Sequence, residues 1–406
     1  MLDGLDEFRI CVQTDYAVAC ISDEHGEGGS DMTQANDTYP HASAHGVTME
    51  RILFMFGLDI SSRNQMRVLI DINHPAHVHF YRHVVTRLVE EGHEVHVTAR
   101  NKECEYQLLD AFGISFTDLG RHHAGMVAKA VGMLRIDTRL WAVARRFKPD
   151  VLTGIHNTYI AHVSHLVRRP SVIFTDTEHA KLANVLTLPF ATAIYTPESF
   201  KRDLGPRHRR YAGFHELAYL HPRYFVPEGR DKLGLEPKEP YTVLRCISWD
   251  ASHDVGHSGF VDLPAAVEEL ERYGPVLISA ESELPRALED RRIRLPPHMM
   301  HSLLHHAALY IGEGATMATE ASLLGTPSIL LSTLASHCGV FEEQRSRHLM
   351  NVPKDQDEAL TMAHDILGNP DAKGEWMLRR DAMLVEKEDV VEVVVGALQE
   401  HARGAR

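Results

Sequence analysis

The chain has 406 residues, 44% of them hydrophobic and 24% charged, enough for two or three domains with a sizeable core. No apolar run reaches the roughly 18 residues that span a bilayer, and the start lacks the basic-then-apolar pattern of a secretory signal. Five scattered cysteines (Cys11, Cys20, Cys104, Cys246 and Cys338) read as reduced thiols of a cytoplasmic protein, and a net charge of −14 argues against a nucleic-acid partner.

The charge is uneven. Residues 1–65 carry eleven acids against three bases, a net −8, which leaves −6 of the −14 for residues 66–406. Residues 23–45 are polar, rich in Gly, Ser and Thr, and aperiodic, the pattern of loop or disorder. Met66 then opens Met-Arg-Val-Leu-Ile-Asp-Ile, a natural first strand. Residues 1–65 are therefore expected to be an appended extension or a mis-called start, dispensable for activity.

From Met66 strand and helix alternate. Residues 68–72 predict a strand. Residues 78–91 predict a helix with Phe80, Val84, Val85 and Leu88 on one face and Gly92 as its stop. A strand over 94–99, a helix over 102–112 ended by Gly113, and a strand over 114–118 follow. A helix over 140–147 and strands over 150–153, 172–175 and 193–196 continue the series. Pro222, Pro227, Pro237 and Pro240 mark a linker. A second series has strands at 242–247, 276–279, 309–311 and 328–331, then an amphipathic last helix near 385–401. Such alternation implies parallel sheets covered on both faces, an α/β class. The expected organisation is one Rossmann-like domain over 66–230, a second over 240–380, and a C-terminal helix within 381–406.

Polar groups gather at the expected strand ends. The segment 308–327 ends a buried strand at Ile311, turns on Gly312 and Gly314, and starts a helix near Ala315. Glycine lets backbone approach a ligand closely, and the first turn of a helix offers unpaired N–H groups and a positive dipole end. Gly312, Glu313, Gly314, Ala315 and Thr316 are thus candidates to bind a diphosphate. Glu320, six residues after Gly314, is placed to accept hydrogen bonds from ribose hydroxyls. An ordinary strand–Gly–helix connection with a surface Glu has the same pattern.

The loop Asp71-Ile-Asn73-His74-Pro75-Ala76-His77-Val-His79-Phe80 follows the first strand, where ligands bind in parallel sheets. His77 would contact phosphate or act as general base on an acceptor hydroxyl. His74, His77 and His79 lack the spacing and the Glu of a helical zinc motif, and no Cys is near, so no metal is expected. Phe174-Thr-Asp176-Thr-Glu178-His179-Ala-Lys181 puts four ionisable groups directly after a strand, which is costly unless they face a cleft or pair in a solvated loop. Asp176 and Glu178 are the candidates there. His215 precedes the linker. His253, in the loop after the second domain's first strand, and Glu281, at the end of its next strand, are candidates for phosphate or sugar contacts.

Four strings resemble the family catalogued as domain of unknown function 354: His-Pro-Ala-His-Val-His-Phe at 74–80, Thr-Asp-Thr-Glu-His-Ala at 175–180, His-Glu-Leu-Ala-Tyr-Leu-His-Pro at 215–222, and Gly-Glu-Gly-Ala-Thr-Met-Ala at 312–318. The resemblance runs from Met66 to about Asp389. More distantly, the chain is similar to UDP-sugar enzymes of the glycosyltransferase-B fold, including the peptidoglycan N-acetylglucosaminyltransferase and UDP-N-acetylglucosamine 2-epimerase. In the transferase a Glu six residues after the Gly lies on the nucleotide ribose, and Gly314 and Glu320 keep that spacing. Its first loop carries glycines before a His, whereas Asn-His-Pro-Ala precedes His77, so the Gly-rich phosphate cradle is missing.

The resemblance implies two Rossmann-like domains facing a cleft, with a last helix crossing back onto the first. It implies a nucleotide sugar, UDP-linked, on the second domain, and a sugar, lipid or other hydroxyl acceptor on the first. No metal or other cofactor is implied, and a lipid acceptor would bring peripheral membrane contact. The expected activity is glycosyl transfer, with His77, or one of Asp176 and Glu178, taking the acceptor proton. An epimerase or hydrolase of the same nucleotide sugar, or a non-catalytic sugar-nucleotide binding protein, are the alternatives that fold analogy does not separate.

Overall fold

The computed structural model describes residues 10–13, 16–19, 65–101, 104–121, 126–178, 181–247, 260–281, 283–332 and 338–404. The chain divides into two compact units, Met1–Asp59 and Ile60–Arg406. In the first, β1 (Ile10–Gln13) and β2 (Tyr16–Ala19) form an antiparallel hairpin with Ile10 opposite Ala19. Alternating Ile, Val and Tyr supply its β preference. The polar run 23–45 lies outside the described residues.

The second unit holds two parallel sheets. The first lobe runs β3 (Arg67–Ile72), α1 (Pro75–Glu90), β4 (Glu94–Asn101), α2 (Glu105–Ala111), β5 (Phe116–Arg121), α3 (Met126–Phe147), β6 (Val151–Ile155), α4 (Thr158–Val167), β7 (Ser171–Phe174), α5 (Lys181–Thr187), β8 (Ala193–Pro197), β9 (His208–Tyr211) and α6 (Leu217–Leu220). The second runs β10 (Thr242–Cys246), α7 (Leu263–Leu270), β11 (Val276–Ala280), α8 (Met300–His306), β12 (Leu309–Gly312), α9 (Ala315–Leu323), β13 (Ser328–Leu330), α10 (Gly339–Ser346), β14 (Met350–Asn351), α11 (Gln356–Gly368), α12 (Ala372–Leu384) and α13 (Val390–Arg403). The strand orders are β5-β4-β3-β6-β7-β8-β9 and β11-β10-β12-β13-β14. In each sheet the chain winds one way from the opening strand and then the other. The switch points lie between β3 and β6 and between β10 and β12, where such folds bind ligands at the carboxyl edge.

Side-chain alternation explains the layers. Leu69, Leu152, Ile173 and Ile194 point to one face of the first sheet and meet Ile136 and Leu140 of α3 and Ile160 and Val163 of α4. Val68, Ile70 and Ile72 point to the other face and join α1 through Val78, Phe80 and Val84. That second cluster continues without a break into the second lobe through Tyr219, Leu303, Leu304 and Tyr310.

α13 packs against α1, β6 and β7 of the first lobe, burying Val391, Val394, Val395 and Leu398. Its N-cap Asp389 also takes hydrogen bonds from Arg223 (2.7 Å) and the Tyr224 hydroxyl (2.6 Å). No described helix is long and apolar enough to cross a membrane.

The lobes also touch where Glu178, after β7, accepts N–H groups from Lys201 (3.2 Å) in the first lobe and from Gly339 (2.9 Å) at the start of α10. The close approach needs a glycine, because a Cβ on Gly339 would collide with the Ser199 carbonyl. Gly339→Ala is expected to destabilise the fold by about 1–3 kcal/mol, read as a lower urea midpoint. An unchanged midpoint would show that the lobes separate freely at this contact.

Candidate functional site

A cavity of about 750 Å³ opens at the carboxyl edge of the first sheet, within the roughly 300–1,000 Å³ range of small-molecule sites. Its walls come from five strand ends of that sheet: Asn73, His74, Ala76 and His77 after β3, Arg100 at the end of β4, His156 and Tyr159 after β6, Asp176 and Thr177 after β7, and His215, Glu216 and Tyr219 after β9. From the second lobe, Thr316 in the first turn of α9 completes the rim. Thr316 is exposed, and the Gly314 N-cap of α9 has no side-chain cap bond. The first N–H groups of that helix therefore stand near the cavity without a side-chain acceptor.

Asp176 and His215 form a pair, with Oδ2 3.3 Å from Nδ1. Burial pushes the Asp176 carboxyl up, but the imidazole of His215 and the Thr177 hydroxyl outweigh burial and hold it well below the usual carboxylate range. Thr177 donates to Oδ1 at 3.0 Å. With Nδ1 committed to Asp176, Nε2 of His215 is buried without a protein partner. This is the arrangement in which a carboxylate fixes the tautomer of a histidine whose other nitrogen does chemistry.

Beside this pair, burial and then the nearby imidazoles of His74 and His215 push His77 well below its ordinary value. His77 is therefore held neutral, able to accept a proton at one ring nitrogen but a weaker base than a free imidazole. Glu216 goes the other way: burial, then the charge of Asp176, pushes its carboxyl well up, and its Oε2 has no partner. Glu216 thus keeps its proton to higher pH and Asp176 its charge to lower pH than a free carboxyl, two carboxyls of one wall whose titrations are driven apart.

Four sequence candidates, His77, Asp176, His215 and Thr316, meet at this cavity. The others are engaged elsewhere. Glu178 is the inter-lobe latch and does not border the cavity. Glu313 turns inward to accept the N–H groups of Ile247 and Phe260, each at 2.8 Å. Glu320 is buried and accepts from the Tyr219 hydroxyl at 2.8 Å and His301 at 2.9 Å. Its carboxylate thus stands behind Tyr219 rather than open to a ribose. Glu281 is exposed and pairs with Arg245, which Ser279 also holds at 2.7 Å.

Gly312 lets β12 cross Arg245 closely, for a Cβ there would lie 2.6 Å from the Arg245 Cβ. Gly314 and Ala315 form the entry to α9. His253 lies outside the described residues. Sequence reading did not single out Arg100, His156, Tyr159 or Glu216. Glu216 sat inside a recognised string; Arg100 lay one residue beyond the expected end of its strand.

The Glu320 geometry makes stability the first thing its loss changes. Glu320→Ala leaves a buried hydroxyl and imidazole without their acceptor and is expected to cost about 2–5 kcal/mol, with a smaller loss for Glu320→Gln. Urea denaturation separates them; equal midpoints for wild type and Glu320→Ala would refute the reading.

In fold the molecule resembles solved structures of known activity. A spinosyn forosaminyltransferase superposes with a TM-score of 0.56 at 16% identity, covering 84% of this chain and 100% of that one. A Neisseria meningitidis UDP-GlcNAc 2-epimerase bound to UDP-GlcNAc gives 0.60 at 11% identity, covering 82% of this chain and 100% of that one. At such identities the likeness is one of fold: two Rossmann-like domains facing a cleft, the glycosyltransferase-B type. An uncharacterized protein of Methanocaldococcus jannaschii is 25% identical over 277 residues, covering 64% of this chain and 80% of its own. Residues 66–402 match the family model described as protein of unknown function DUF354, and the chain belongs to that family.

Proposed function

We propose that the protein is an enzyme that holds a nucleoside-diphosphate sugar, UDP-linked, in this cleft and transfers the sugar to a hydroxyl acceptor without a metal ion. The observation that carries the reading is the bracketing of one cavity by the uncapped first turn of α9 on one side and His77, the Asp176–His215 pair and Glu216 on the other. The N–H groups of α9 suit a diphosphate, whose charge builds as the anomeric carbon–oxygen bond breaks. The acceptor oxygen attacks that carbon, and its proton passes to neutral His77. His215, oriented by Asp176, binds the sugar or the acceptor. The similar structures whose names include a glycosyltransferase and a UDP-GlcNAc 2-epimerase support a nucleotide sugar as ligand.

The neutral Glu216 beside ionised Asp176 favours a second reading, an epimerase or hydrolase of the same ligand. An acid and a base on one wall can remove and return a proton with no acceptor present.

Calorimetric titration with UDP in chelator tests the binding step. Saturable binding is expected, weakened at least tenfold in Thr316→Glu, which sets a carboxylate at the phosphate position on an exposed residue. No binding of UDP, or equal binding by the variant, would overturn the reading. Incubation with UDP-GlcNAc alone then decides the reaction: a changed sugar without acceptor selects the second reading.

The pH profile follows from the two shifts. His77 must be neutral, and its pKa lies below 6.5, so rate is lost only as pH falls through that lowered value. If Glu216 is the acid, rate is also lost as pH rises through its raised value. His77→Gln should remove the acid limb, and an acid limb retained in that variant would exclude His77 as the base.

A further inference from the structure

Arg100 is the largest of the fully buried side chains, 1% exposed, and it stands at the carboxyl end of β4 on the cavity wall. Its Nη2 is bound to Asp71. Asp71 is itself buried, with Oδ1 accepting from Thr98 at 2.7 Å and Oδ2 also accepting from Asn157 at 2.7 Å. The ring of Tyr159 lies against the guanidinium, 4.2 Å from its carbon to the centroid. One nitrogen and one face are thus fixed, and the plane of the group is set. Nε and Nη1 remain buried with no protein acceptor.

A buried cation that carries unmet N–H donors is costly, and a fold retains it where a ligand supplies the missing acceptors. The carboxylates around it are occupied elsewhere. Both oxygens of Asp71 already accept bonds, Asp137, within electrostatic reach of Arg100, pairs through Oδ2 with His162 at 3.3 Å, and Asp176 is committed to His215 and Thr177. The amino end of α1 borders the same space through Ala76 and His77 and adds a positive dipole end. A guanidinium held rigidly in a plane, with donors unspent and a helix N-terminus beside it, is a receptor for an oxyanion.

We propose that Arg100 forms an oxyanion subsite on the first-lobe wall of the cavity, separate from the α9 site, and that it takes a phosphate or carboxylate group carried by the acceptor. Assignment to the acceptor rests on the proposed function; the oxyanion subsite does not. Asp71, Asn157 and Tyr159 are positioning residues that aim the guanidinium, and Arg100 alone meets the anion.

Inorganic phosphate and acetate are the probes, titrated into the full chain at constant ionic strength with chloride as the balance, with and without UDP. Wild type is expected to bind at least one of them saturably, and which one it prefers tells phosphate from carboxylate. Two variants remove the subsite while sparing the fold. Asp71→Asn with Arg100→Gln replaces the ion pair by a neutral pair, and Arg100→Lys keeps the charge against Asp71 but removes the planar fork that carries Nε and Nη1. Each is expected to weaken the preferred anion at least tenfold, with unchanged circular dichroism and unchanged UDP affinity.

Anion binding retained in a folded variant, or no saturable binding of either anion by wild type, would overturn the subsite. A parallel fall in UDP affinity would assign Arg100 to the nucleotide's own diphosphate and overturn its separateness. If UDP fails to bind wild type while phosphate binding is lost in the variants, the nucleotide-sugar reading falls and the subsite stands.

Discussion

Parallel strands place every strand-to-helix turn at one edge of a sheet, and the rest of the structure depends on that constraint. Seven parallel strands bring the turns after β3, β4, β6, β7 and β9 to a common rim. Residues as far apart as Asn73 and Tyr219 meet there because the topology leaves them nowhere else to go. The second sheet contributes through its own switch point, where β12 ends and α9 begins beside β10. Glycine at position 312 permits that approach, since Arg245 occupies the space a side chain would need. A wall of polar side chains and a helix N-terminus come to border one cavity without any long loop to carry either.

Polar groups on and behind that rim differ in how far the protein satisfies them. Glu313 and Glu320, behind the rim, are spent on backbone or side-chain partners, and Glu178, away from the cavity, ties the lobes through Oε1. His215, Glu216 and Arg100 each keep a buried atom without a partner. Buried atoms without partners are unfavourable, and these three border one cavity. The carboxyl values of Asp176 and Glu216 move in opposite directions because burial raises both, but His215 and Thr177 outweigh it at Asp176 while the Asp176 charge adds to it at Glu216.

Much of the fold was legible in the sequence because buried parallel strands are written as apolar runs. Val-Leu-Ile at 68–70, Val-Ile-Phe at 172–174 and Leu-Tyr-Ile at 309–311 announce β3, β7 and β12. By contrast β9, His-Arg-Arg-Tyr, is an edge strand that buries little, so it carries no such signal. Helix α3 starts at Met126, well before the expected 140, because Gly132 and Asp137 interrupt the helical pattern that tertiary packing overrides. At the site, His77 and Asp176 stand out because ionisable groups crowd directly after apolar strands, whereas His215 stands out only through its string ahead of the linker. What one strand end cannot reveal is which way a carboxylate turns. Glu320 finds Tyr219 at 101 residues' separation and Glu178 finds Gly339 at 161, and those choices are made by the assembled lobes.

The return of α13 to the first lobe bears on the order in which the chain is made. Val391, Val394, Val395 and Leu398 cover a face of α1, β6 and β7, yet more than two hundred residues separate those strands from the helix that covers them. During synthesis the first lobe emerges with an apolar surface exposed, and it stays so until the last helix leaves the ribosome. Completion of the oldest part of the molecule by the youngest makes folding a closing step rather than a sequence of finished domains, and it places the risk of aggregation in the interval between them.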